Sequence, residues 1–99
     1  MGLLAKNIRG KKISEIIHIH DYIQLIFYDN GIINLYNKIT SGGNIKSIIG
    51  KDIRDVMIDN EKLQIIFFDS SVIEMSMKSE DYVSSEAFEY NKGDLIIIE

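Results

Sequence analysis

Apolar residues recur at every second position along most of the chain, and β-branched isoleucine and valine dominate among them. That periodicity predicts strands rather than helices. Ile23, Leu25 and Phe27 alternate with Tyr22, Gln24, Ile26 and Tyr28, and Leu63, Ile65 and Phe67 repeat the pattern further on. The odd positions are the expected core face. Carried outward, the alternation predicts strands near 12–19, 22–28 and 32–37, then near 52–59, 62–68 and 72–78.

The two sets of strands are copies of one another. Displaced by 40 residues, Gly10-Lys11-Lys12-Ile13 falls on Gly50-Lys51-Asp52-Ile53, and Gln24-Leu25-Ile26-Phe27-Tyr28-Asp29 on Gln64-Ile65-Ile66-Phe67-Phe68-Asp69. Residues 10–38 match 50–78 without a gap, with nine of 29 positions identical. Two copies are too few for a solenoid or propeller, so the repeat reads as a duplicated three-stranded antiparallel meander. The expected fold is a single all-β domain over 1–99: two meanders and a C-terminal hairpin, closed into a β-sandwich or a partly closed barrel.

Side-chain parity fixes the expected turns. A three-residue loop at Asp29-Asn30-Gly31 pairs Phe27 with Ile33 and Leu25 with Leu35, keeping apolar residues on one face. Gly31 is then the left-handed residue of the loop, and Ser71 its strained counterpart. The same rule upstream pairs Ile19 with Ile23 and Ile17 with Leu25 across His20-Asp21-Tyr22. It leaves an even face bearing Ile16, Ile26, Tyr28 and Ile32, matched by Val56, Ile66, Phe68 and Val72. Such a patch calls either for a curled sheet that covers it or for a partner.

Thr40-Ser41-Gly42-Gly43-Asn44 reads as the loop between the halves. Residues 79–91 fit two descriptions. One is a short helix capped by Ser79 with Val83, Ala87 and Tyr90 on one face. The other, which we favour, is a closing hairpin in which Phe88 and Tyr90 flank Glu89 and Asn91-Lys92-Gly93 leads into Leu95-Ile96-Ile97-Ile98.

Composition narrows the function classes. With no cysteine among 99 residues, disulfide scaffolds, thiolate metal sites and cysteine nucleophiles are excluded. No apolar run approaches the roughly 18 residues of a membrane span, and no signal-peptide pattern opens the chain, so a cytoplasmic protein off the membrane is expected. Isoleucine occurs 21 times and alanine twice, a bias that fits A+T-rich coding.

Candidate chemistry is sparse. His18 and His20 have the strand spacing at which two imidazoles share a metal, but no third ligand is identified and the second copy has Ile58 and Asn60 there, so no metal and no cofactor are expected. Phosphate-loop, nucleophile-elbow and zinc-helix motifs are missing, so the chain reads as a non-enzyme. Lys6, Arg9, Lys11 and Lys12 lie in sequence near strands that carry Tyr22, Tyr28 and Tyr36. That mixture suits single-stranded nucleic acid, but also an edge strand guarded by lysine, and on a net acidic chain we take the second reading.

Charge asymmetry is more informative. Residues 1–68 hold 9 bases and 7 acids, whereas residues 69–99 hold 2 bases and 8 acids, so the net charge of −4 belongs to the last third. There Glu80, Asp81, Glu86 and Glu89 are interleaved with Tyr82, Phe88 and Tyr90, a mixture of charge and aromatic anchors suited to a basic protein surface.

The Gly-Lys-x-Ile opening of each unit and the strand ends Leu25-Ile26-Phe27-Tyr28-Asp29-Asn30-Gly31 and Ile65-Ile66-Phe67-Phe68-Asp69 resemble small β-rich immunity proteins of bacterial polymorphic-toxin and contact-dependent growth inhibition systems. The resemblance implies an antitoxin-like inhibitor that binds one cognate toxin domain, often a nuclease, and occludes its active site or substrate surface. On that expectation Glu80, Asp81, Tyr82, Glu86, Phe88, Glu89 and Tyr90 form the contact surface. The alternative is a self-associating module, a homodimer through the Tyr28/Phe68 face, followed by a small nucleic-acid-binding barrel.

Overall fold

The computed structural model describes residues 2–40 and 44–98. A short helix α1 (Leu3–Ile8) precedes the first meander, β1 (Ile13–Ile19), β2 (Tyr22–Phe27) and β3 (Ile32–Leu35). A 3-10 turn at Ile45–Ile48 precedes the second, β4 (Ile53–Ile58), β5 (Lys62–Phe67) and β6 (Val72–Ser76). After another 3-10 turn at Ser79–Asp81 come β7 (Phe88–Lys92) and β8 (Leu95–Ile98), so residues 79–91 hold no long helix and the hairpin reading stands. The strands form two antiparallel sheets, ordered β1-β2-β3-β7-β8 and β4-β5-β6, an all-β sandwich without barrel closure.

The duplication is built about a local pseudo-two-fold axis. Lys12 bridges Asp52, its own equivalent in the other copy. Around that bridge the bonds come in matched pairs: Gly10 N–H donates to Ile53 O at 2.7 Å and Gly50 N–H to Ile13 O at 2.8 Å. Ile53 N–H donates to Lys11 O and Ile13 N–H to Lys51 O. The axis joins the edges β1 and β4, while a bridge between Ile39 and Met75 links the sheets at β6.

The repeat extends upstream of Gly10. Leu4, Ala5 and Ile8 share the inner face of α1, and Ile8 and its equivalent Ile48 are both buried. Period-two reading misses this helix because six residues are too few to display a helical period.

Two expected registers are corrected. Ile19 pairs with Tyr22 and Ile16 with Leu25, so the β1–β2 turn is the two-residue His20-Asp21, with His20 at φ 43°. The shift arises at a bulge between Ile13 and Glu15, repeated between Ile53 and Asp55. An extra residue reverses which positions face inward. Ile16 and Val56 are therefore core residues, each 5% exposed, rather than members of an outer patch.

At the next turn Leu25 pairs with Ile33 and Ile23 with Leu35, a slip of two residues that preserves parity and hence the core face. The loop is Tyr28-Asp29-Asn30, and its left-handed residue is Asn30 (φ 71°), with Ser70 (φ 75°) in the second copy. Gly31 and Ser71 are not the strained positions. Asp29 Oδ1 accepts from Gly31 N–H, and Asp69 Oδ1 from Ser71 N–H, anchoring both loops one residue earlier than parity alone selects.

The core lies between the sheets and is filled by odd-numbered residues of the central strands. Leu25, Phe27 and Ile33 of the first sheet and Leu63, Ile65 and Phe67 of the second are all at most 1% exposed. β7 adds Phe88 and Tyr90 to this core, so the C-terminal hairpin completes the larger sheet and seals its open side.

Candidate functional site

Polar groups converge at the end of the sandwich opposite the pseudo-axis. A groove of about 420 Å³ lies among the β1–β2 turn (His18, His20, Asp21), the chain leaving β3 (Tyr36, Asn37, Lys38) and the segment after the second 3-10 turn (Asp81, Val83). It forms where the two copies differ. The second copy has Ile58 and Met77 at the positions of His18 and Asn37. Asn37 is 4% exposed; its amide nitrogen donates to Ser76 O at 2.8 Å, while Oδ1 has no partner among the described residues. The Tyr22 and Tyr36 rings lie 5.0 Å apart at the rim.

His18 and His20 share this groove, but among the described residues no three His, Cys, Asp or Glu side chains converge on a point where an ion would sit.

The acidic segment borders the groove. Its residues divide between structure and surface. Phe88 and Tyr90, expected as anchors for a partner, are 1% and 0% exposed and belong to the core, because β7 turns its even positions inward against Leu35 and Ile33. Tyr82 is half-buried and packs on the same core. Asp81 accepts from the Ser76 hydroxyl and so fastens the segment to β6. Glu80 is exposed, Glu86 is half-exposed beside Ser85, and Glu89 points from the outer face of the larger sheet, where it accepts from the Tyr36 hydroxyl at 3.1 Å. Burial pushes the Tyr36 phenol up, and the Glu89 carboxylate adds to it against the hydrogen bond from the Asn34 amide. Val83, 68% exposed, is the apolar side chain that this segment does present. Its exposure has no sequence signal, whereas Asn37 is discoverable by aligning the two copies.

Three of the four cations in the basic cluster near the N-terminus are paired. Arg9 pairs with Asp55 at 2.8 Å, Lys12 with Asp52 at 3.1 Å and Lys11 with Asp29; Lys51–Asp69, at 2.7 Å, repeats Lys11–Asp29 in the second copy. By contrast, Glu80, Asp81, Glu86, Glu89 and Asp94 pair with no cation among the described residues.

The repeated lysine–aspartate pairs are tuned alike. Lys51, then the Ser71 hydroxyl and N–H, hold the Asp69 carboxyl far below the usual carboxylate range. At Asp29 burial works upward but is outweighed by Lys11 and the Gly31 N–H, and the net shift is again downward. A depressed folded-state value stabilises the fold fully above the ordinary carboxylate range near about pH 4, and that contribution is lost as pH falls through the folded value. Asp69→Asn is therefore expected to lower the urea midpoint at neutral pH, with the deficit narrowing steadily in acid. A deficit independent of pH would show that the charge on Asp69 does not matter.

The exposed aromatics of the two copies, Tyr28 and Phe68, are each 65% exposed in equivalent loops flanking the pseudo-axis. Tyr28 N–H donates to Lys12 O and Phe68 N–H to Asp52 O. Beside them Ile26, Ile32 and Ile66 are half-buried and Val72 is 36% exposed, so this outer surface is partly open.

Among the described residues no helix is long and apolar enough to cross a membrane. No family model, no curated protein and no solved structure matches the chain.

Proposed function

We propose that this chain is a non-catalytic inhibitor of the immunity-protein kind, which binds a basic toxin domain through its acidic C-terminal third. The observation that carries the proposal is the separation of charge. Aspartates pair with Arg9, Lys11 and Lys12 of the N-terminal cluster, whereas the carboxylates from Glu80 to Asp94 have no cationic partner among the described residues. A sandwich that presents unpaired carboxylates on one segment, with Asp81 lining a groove, suits a protein carrying a phosphate-binding cleft. A nuclease domain is such a protein, and the acidic segment would take the place of its nucleic acid. The pairing of Arg9, Lys11 and Lys12 with aspartates weighs against that cluster as a nucleic-acid site, because those three charges are already met within the fold.

The test is capture of partners by the tagged protein from its native cells, washed at low and then high salt. One basic protein held at low salt and released by high salt is expected. Glu80→Lys, Glu86→Lys and Glu89→Lys combined are expected to slow association with it by about one to two orders of magnitude. Asp81 is left intact because it holds Ser76. Unchanged association would move the interface off this segment, and recovery of the protein alone would remove the inhibitor reading.

A further inference from the structure

The sandwich has four strand edges, and three are guarded. β1 and β4 are each broken by a bulge and carry Glu15 and Arg54 respectively. β6 is covered by the chain leaving β3, with Thr40 N–H bonded to Glu74 O and Ser76 N–H to Lys38 O. β8 has none of these devices. It reads Leu95-Ile96-Ile97-Ile98, with no charge, proline or bulge, and Leu95, Ile96 and Ile98 are 40%, 55% and 52% exposed. An edge of this kind is a template for another strand.

The hairpin geometry shows which groups the edge offers. Lys92 pairs with Leu95 across Gly93-Asp94, and Gly93 takes φ 59° at the first turn position, the two-residue turn that favours glycine there. The pair closing such a turn is hydrogen-bonded across the hairpin, and bonded pairs alternate along the strands. Leu95 and Ile97 therefore bond toward Lys92 and Tyr90, and the N–H and C=O groups of Ile96 and Ile98 point away from β7.

We propose that β8 pairs antiparallel with β8 of a second copy of this chain, about a two-fold axis at Ile97. In that register Ile96 faces the partner's Ile98 and Ile98 the partner's Ile96, so all four outward groups of each strand are bonded. The two five-stranded sheets become one continuous sheet. The occupant follows from the strand itself. An incoming strand must be apolar on both faces, because β8 exposes Ile96 and Ile98 on the outer face and Leu95 at the inner rim. Exposed strands of other proteins alternate apolar with polar residues. β8 is apolar on both faces, opposes no like charges within Leu95–Ile98, and is self-complementary, as a two-fold interface requires. This pairing uses the backbone edge rather than the acidic side chains, and it does not depend on the inhibitor reading.

Sedimentation equilibrium of the full chain from roughly 1 µM to 1 mM reads the association directly. A reversible dimer is expected. Ile98→Pro removes an N–H that bonds nothing within the monomer, and Ile96→Lys places a charge on the outer face of the edge. Each should weaken the dimer at least about tenfold while the urea midpoint of the monomer stays close to that of the parent. Phe68→Glu should leave the dimer intact. Amide exchange gives a second reading: the Ile96 and Ile98 N–H groups should gain protection as protein concentration rises. A monomer throughout the range, a dimer indifferent to Ile96→Lys and Ile98→Pro, or a dimer abolished by Phe68→Glu would each overturn the proposal.

Discussion

Tyr90→Ala is expected to cost about 3–5 kcal/mol of unfolding free energy, whereas Tyr90→Phe leaves the protein as stable as the parent or more so. The ring is fully buried, lies 6.2 Å from Phe27 between centroids, and belongs to the strand that joins the C-terminal hairpin to β3. Truncating it opens a cavity where the hairpin meets the first copy. The hydroxyl is a different matter: it is buried without a hydrogen-bond partner among the described residues, and burial pushes the phenol up. Removing an unsatisfied buried hydroxyl removes its desolvation cost. Gly31 makes room for the group, since a Cβ there would lie 3.0 Å from the Tyr90 hydroxyl oxygen and 3.1 Å from Asp29 Oδ1. Gly31→Ala should accordingly cost about 1–3 kcal/mol by overpacking, and part of that loss should return in the Gly31→Ala/Tyr90→Phe double variant. Urea midpoints of the three variants and their parent form the cycle that checks this. A Tyr90→Phe variant less stable than the parent would mean that the hydroxyl is bonded after all.

Tyr90 also marks the limit of what the sequence discloses. Its alternation with Glu89 predicts a strand, and the strand exists, but the same alternation does not say which face is buried. Charge density around it pointed to the surface; pairing with Ile33 put it in the core. The meanders were legible because strands β2 and β5 keep an unbroken period of two with large aliphatic and aromatic residues inward. β1 and β4 were legible as strands but not in register, because the bulges at Ser14 and Arg54 carry no compositional mark and their parity switch appears only when Ile13 and Ile16 are both seen to be buried. The groove at His18 and Asn37 was hidden for a related reason. It depends on how two separate turns and the segment at Asp81 meet, which no local pattern encodes.

The pair of glycines that opens the two copies should show the duplication in energetic form. Gly10 and Gly50 adopt φ 85° and 88°, just beyond the turns that end at Ile8 and Ile48, and Lys11 N–H and Lys51 N–H return to the carbonyls of those residues. A Cβ at either glycine would meet nothing within 4 Å, so only backbone strain is at stake. Left-handed conformation costs an L-residue about 1–2 kcal/mol. Gly10→Ala and Gly50→Ala are each expected to lose that much, and simple addition would put the double variant at about 2–4 kcal/mol. Asparagine should be tolerated better than alanine, and valine worse. Because Gly10 N–H bonds to Ile53 O and Gly50 N–H to Ile13 O, the two sites share one junction, and the double variant should depart from simple additivity. Chemical synthesis with D-alanine at position 10 separates strain from lost contacts. A D-residue accepts positive φ and restricts the unfolded chain, so stability should match or exceed the parent's. Equal losses for L- and D-alanine would show that the junction depends on the space at Gly10 rather than on its backbone conformation.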